Sequence, residues 1–157
     1  MQVHIGLNDA TQSQVATVLN QLLADEFVVY VKTLNFHWNV VGSDFYALHL
    51  FFQKQYEELF DIVDDVAERV RVFNVQSLGS CAEFTRHATI HESVGQKLAA
   101  MDMLAQLCAD HEMIIQSLRK ALVKASELGD EGTSNFLTDL MEKHEKMAWM
   151  LRSFNVK

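Results

Sequence analysis

The densest run of metal-binding residue types in the chain is YEELFDIVDDVAER at 56–69, which holds Glu57, Glu58, Asp61, Asp64, Asp65 and Glu68. Asp64 and Glu68 are four residues apart, so on a helix their carboxylates share one face. Most such runs are solvated helix faces. Here Val63 and Ala67 sit directly beside the two acids, and full exposure is less natural. His37, followed by Trp38, and His49 are the histidines placed to act together. A hairpin between them brings both rings to one ion, and a hydrogen-bonded pair of core or cap histidines is the ordinary alternative. Imidazole nitrogen with carboxylate oxygen suits Fe(II), and also Mn or Zn.

Spacing limits how these groups combine. A metal pair buried in the centre of one four-helix bundle commonly uses Glu-x-x-His, which puts both ligands on one helical face. No glutamate in this chain has a histidine three residues later. His49 and Asp64 are fifteen residues apart on one helix, or roughly 22 Å at 1.5 Å per residue, so they do not share an ion within one chain. A second, antiparallel copy of that helix brings Asp64 and Glu68 opposite His37 and His49, and a two-fold dimer then makes two equivalent sites.

The elements that must carry these residues are helices. The chain has no proline and only six glycines, so long stretches are free to run as uninterrupted helix. Apolar residues spaced by threes and fours mark a first helix over about 10–37, with Asn8 or Asp9 as cap. Its inner face is Val15, Val18, Leu19, Leu22, Leu23, Val29, Tyr30, Thr33 and Phe36, and Gly42 stops the chain just beyond. A second helix starts after Ser43 as cap and runs to about 71, with Phe45, Leu48, Phe52, Leu59, Val63, Val66 and Val70 inward. A break at 73–80 precedes a short helix within 80–90. A third long helix spans about 97–127 and ends at Gly129, and a fourth spans about 131–153. The fold expected is all-α: one domain over 1–157, a four-helix bundle with a long crossover carrying a short extra helix, an N-terminal extension at 1–9 and a tail at 155–157. One long crossover is the connectivity of ferritin-like bundles rather than simple up-down ones.

The remaining chemistry-bearing residues read as structural. His111 and His144 fall on inward stripes and are expected as satisfied core histidines. His87 and His91, four apart near the crossover, make at most a weak metal site. The methionines, among them Met101, Met103, Met113 and Met141, read as core filler. Cys81 and Cys108 are expected as reduced thiols in a cytoplasmic protein. The net charge of −8 argues against a surface that wraps nucleic acid by charge and suits cations where acids converge. No stretch of eighteen apolar residues exists to span a membrane, and the first nine residues lack the basic start and apolar run of a signal peptide.

NFHWNVVGSDFYALHLFFQKQYEELFDIVDDVAER at 35–69 and HEKMAWMLRSF at 144–154 resemble the signature and the usual end of the Dps family, the miniferritins of starved bacterial cells. The resemblance covers about 11–154. It implies that His37, His49, Asp64 and Glu68 form ferroxidase sites between two-fold-related subunits, with Asp61 at a nearby acidic metal position and Trp38 beside the site. It also implies a hollow shell of twelve subunits that oxidises Fe(II), preferentially with hydrogen peroxide, and stores Fe(III) as a mineral. Two departures stand out. VFNVQSLGS replaces a glycine-proline stretch after the second helix. Asn135 stands where an aspartate commonly lines the iron entry pore, with Asp130, Glu131 or Asp139 as compensating acids. DNA binding, the family's other activity, is often attributed to lysine-rich tails. Here residues 1–9 have no lysine or arginine and the C-terminal tail has only Lys157, so DNA compaction is the weaker reading. An immune-active or adhesive shell at the cell surface is the other alternative.

Overall fold

The computed structural model describes residues 3–154. Among them the chain forms five helices and no strands: α1 (Asp9–Asn39), α2 (Phe45–Val72), α3 (Cys81–His87), α4 (Ala100–Glu127) and α5 (Glu131–Ser153). The expected tail at 155–157, with Lys157, lies outside the described residues, as do residues 1 and 2.

Each long helix buries one stripe. In α1 the threes-and-fours pattern places Val15, Leu19, Leu22, Leu23, Val29 and Phe36 inside. Asn8 caps it by accepting the Thr11 N–H at 2.9 Å. In α2 the buried seam is Leu48, Phe52, Gln55, Leu59, Ile62, Val66 and Val70. The expectation that Phe45 and Val63 belong to that seam is only partly met: Phe45 is exposed, Val63 is half-buried, and Ile62 is the residue that points inward. The cap also differs. The residue before α2 is Asp44, with no side-chain cap bond, and Ser43 Oγ instead donates to Asp44. Gly42, at φ 120, makes the turn that a side chain would strain.

Pairings fix the directions. Phe36 meets Phe52 and Tyr30 meets Phe60, so α1 and α2 are antiparallel. His111 meets His144, and the Cys108 thiol reaches the Ala148 carbonyl, so α4 and α5 are antiparallel too. Lys32 pairs with Asp110, while Val15, Val18 and Leu19 lie against Ala121, Ala125 and Leu128, which sets α1 antiparallel to α4. It follows that α2 and α4 are parallel, and the chain must return the length of the bundle between them. That return is the segment 73–99, carrying α3. It attaches to α1 by an apolar contact, Phe84 stacked on Phe27 at 4.2 Å with Ile90 also buried, and by polar bonds. Asp25 accepts from Thr89 N and Oγ1 and from Ile90 N, and Gln21 donates to the His87 carbonyl. Asn20 accepts from the Leu78 N–H, and Lys32 donates to the His91 carbonyl.

The α4–α5 turn runs through Gly129 at φ 78, the left-handed value that suits glycine. The third long helix starts at Ala100 rather than near 97, behind a cap residue, Ala99, that offers no side-chain oxygen. The methionines are not uniformly core. Met103 and Met147 are buried, whereas Met101 and Met113 are exposed.

Candidate functional site

The short connection between α1 and α2 brings His37 and His49 together. Their rings stack with centroids 3.8 Å apart and planes 19° from parallel. His37 Nδ1 lies 2.8 Å from the His49 carbonyl oxygen, and His49 Nδ1 lies 2.9 Å from the His37 carbonyl oxygen. A carbonyl oxygen only accepts, so each Nδ1 must carry the proton. This reciprocal lock fixes both tautomers and leaves a lone pair on each Nε2, an arrangement compatible with metal binding by an imidazole that a carbonyl acceptor orients. Phe45 stacks on His49 at 5.1 Å, and the Tyr56 ring meets His37 edge-on at 5.1 Å. His37 is buried and His49 half-buried, and Trp38 beside them is 68 % exposed.

Asp61, Asp64 and Glu68 lie toward the other end of α2, and all three are exposed. The expectation that Val63 and Ala67 would draw Asp64 and Glu68 out of solvent is corrected. Those apolar neighbours are themselves only half-buried, because the seam runs through Ile62 and Val66. Neither the Asp64 nor the Glu68 side chain makes a hydrogen bond or ion pair among the described residues. Among the described residues of a single chain no three histidine, cysteine, aspartate or glutamate side chains are gathered as a metal-binding set. The two halves of the expected site are therefore each present but apart.

Between them α2 presents one outward stripe by steps of three and four: Tyr46, Leu50, Gln53, Glu57, Phe60, Asp64 and Glu68. Tyr46, Leu50 and Phe60 are large apolar side chains left in water on this face. Arg69 turns away from the stripe. It donates to Thr133 Oγ1 at 2.9 and 3.0 Å and pairs with Asp130 at 3.3 Å, fastening the C-terminal end of α2 to the start of α5.

A ferritin-like domain matches the chain over residues 16–157. A DNA protection during starvation protein of Bacillus anthracis is 35% identical over 141 residues, covering 90% of this chain and 96% of its own. The chain belongs to the Dps family of ferritin-like proteins. A low temperature-induced protein of Nostoc sp. is 44% identical over 154 residues, covering 98% of this chain and 86% of its own. The crystal structure of the Dps protein of Vibrio cholerae, described as a member of a broad superfamily of ferritin-like diiron-carboxylate proteins, superposes with a TM-score of 0.93 at 30% identity. That match covers 99% of this chain and 98% of the other.

In this Dps chain one of the three acids expected to compensate for Asn135, Asp130, is ruled out, and Glu131 and Asp139 stay open. Asn135, Glu131 and Asp139 are exposed, but Asp130 is buried. It caps α5 by accepting from the Thr133 N–H at 3.0 Å and also holds Arg69. Asp130 is committed to the fold and does not substitute for an acid in a pore. His87 and His91 are both exposed.

Sequence reading passed over the buried charges. Glu26, Lys32 and Asp110 lie inside, and Lys32 pairs with Asp110 at 2.8 Å between α1 and α4. Burial pushes the Asp110 carboxyl up, and the Lys32 ammonium opposes that push. Spacing carried the signal: Glu26 stands three and four residues from Leu23 and Leu22 and three from Val29, in the middle of the inward stripe.

Proposed function

We propose that this Dps protein oxidises Fe(II) at sites assembled between two-fold-related subunits and stores the ferric product inside a closed shell of twelve. The observation that carries the reading is the His37–His49 lock. Two imidazoles are fixed with Nδ1 protonated and Nε2 free, beside a helix whose far end carries two unpartnered, exposed carboxylates. Laying a second α2 antiparallel on the stripe from Tyr46 to Glu68 covers Tyr46, Leu50 and Phe60 and brings the partner's Asp64 and Glu68 to the histidines, twice by symmetry. The diiron-carboxylate superfamily to which the Vibrio cholerae relative is assigned supports iron as the ion.

The division of labour follows from ligand chemistry. Asp64 and Glu68 supply hard oxygen donors for ferrous ion, and their negative charge favours the ferric product. Asp61, one turn before Asp64, adds charge on the approach. Hydrogen peroxide is the expected oxidant, taking one electron from each of two ferrous ions as its O–O bond breaks. Consuming Fe(II) and peroxide together limits hydroxyl radical formation.

The test is the double substitution Asp64→Asn and Glu68→Gln. The amides keep the shape, and both side chains are exposed in the single chain, so helix content and assembly should survive. The stopped-flow rate of ferric absorbance after mixing Fe(II)-loaded protein with peroxide should fall by at least about a hundredfold. An unchanged rate in a folded, assembled double variant would overturn the reading.

A further inference from the structure

Near the middle of the bundle three titratable side chains from three helices meet without any solvent exposure: Glu26 of α1, His111 of α4 and His144 of α5. His144 stands between the others. Its Nδ1 is 2.9 Å from His111 Nδ1, and its Nε2 is 3.0 Å from a Glu26 carboxylate oxygen, off the line of a straight hydrogen bond. Neither Glu26 oxygen nor His111 Nε2 has an aligned hydrogen-bond partner among the described residues. The other charged groups buried between α1 and α4 are Lys32 and Asp110, which neutralise each other. From α2 the buried polar group is the uncharged Gln55 amide, which donates to the Met147 carbonyl. On α4, Cys108 is held as a thiol by burial, with Glu112 adding to the push, and Glu112 itself pairs with Arg152.

The geometry limits how many protons this chain of groups can hold. Two facing ring nitrogens 2.9 Å apart share one proton between them. Two neutral imidazoles carry two protons, and a pair with one ring charged carries three. A fourth would set two N–H groups head to head. An unfolded chain in acid has no such limit, and both rings charge fully.

We propose that Glu26, His144 and His111 form an acid-sensitive latch between α1 and the α4–α5 hairpin, which excludes a histidine proton that the opened chain accepts. Burial, and after it the neighbouring His144, holds the His111 imidazole well below its ordinary value of 6.5. A depressed folded value means that the latch's contribution is complete above that ordinary value and is lost as pH falls beneath it. Each pH unit further down costs about a factor of ten in the folding constant per excluded proton. Among the described residues the latch side chains share no hydrogen bond, ion pair or ring contact with His37, His49, Asp64 or Glu68.

Two measurements on assembled protein test it. In wild-type shells labelled with 15N-histidine, solid-state NMR between about pH 7.5 and about pH 5 should show a ring nitrogen pair sharing one proton. The two buried rings should never both be imidazolium while the protein is folded. Two buried imidazolium rings in a folded shell would overturn the proposal. The variant His111→Gln keeps a donor and an acceptor for His144 but removes the head-to-head limit. Urea unfolding at fixed protein concentration should show the wild-type folding constant falling at least about tenfold per pH unit more steeply than the variant's at the acid end. Equal slopes would overturn it as well.

Discussion

At the scale of single residues, the proposed function rests on which ring nitrogen is free. His37 and His49 each give Nδ1–H to the other's carbonyl, so replacing either removes a brace and, on the proposed reading, an iron ligand. His37→Gln and His49→Gln should each weaken Fe(II) binding by at least about tenfold, measured by anaerobic titration, with helix content unchanged. Arg69 belongs to the fold instead. Arg69→Ala leaves the buried Asp130 without its cation and Thr133 without two donors. It should cost about 1–3 kcal/mol, read as a lower urea midpoint, while per-site oxidation persists. The histidine pair was legible in sequence because a twelve-residue spacing across a glycine turn permits little else. The state of Asp64 and Glu68 was not. Apolar neighbours in sequence mark a face only when the seam is known to within one residue, and Ile62 moved it. Glu26, Lys32 and Asp110 were missed for a related reason: acids and bases read as surface by type, although Glu26 sits at inward spacing.

At the scale of elements, the crossover shows how topology sets local chemistry. Because α2 and α4 run parallel, 73–99 must pass along α1, and a segment that short of helix hides its backbone polar groups by bonding to side chains. Asp25 takes two backbone N–H groups and the Thr89 hydroxyl while itself buried, and Asn20 bonds two more backbone groups. Asp25→Ala should therefore destabilise the bundle by about 1–3 kcal/mol. Hydrogen exchange should rise first at Thr89 and Ile90, and uniform exchange along the chain would contradict the local account. Helix count, order and the α5 limits follow from periodicity alone. The start of α2 did not, since Ser43 and Asp44 are equally good capping residues one position apart; Asp44 occupies the position, and its side chain makes no cap bond.

At the scale of the whole molecule, what is unfinished in one chain points to its assembly. The stripe from Tyr46 to Glu68 leaves aromatic and aliphatic side chains in water beside unpaired acids, which one copy of α2 cannot cover. Light scattering should give a mass near twelve times 17.9 kDa, and an active monomer would contradict inter-subunit sites. With −8 per chain the metal-free protein should not retard DNA at neutral pH and moderate salt. A gel shift that fades with added salt would reveal a basic surface on the assembly. The central claim is that each site takes its histidines from one subunit and its carboxylates from the next. Anomalous diffraction at the iron edge from Fe(II)-soaked crystals tests it most directly. The account predicts a peak at the two-fold interface, within bonding distance of His37 and His49 from one subunit and of the partner's Asp64 and Glu68. A peak ligated wholly within one chain, or an interface without iron beside mineral-bearing shells, would contradict it.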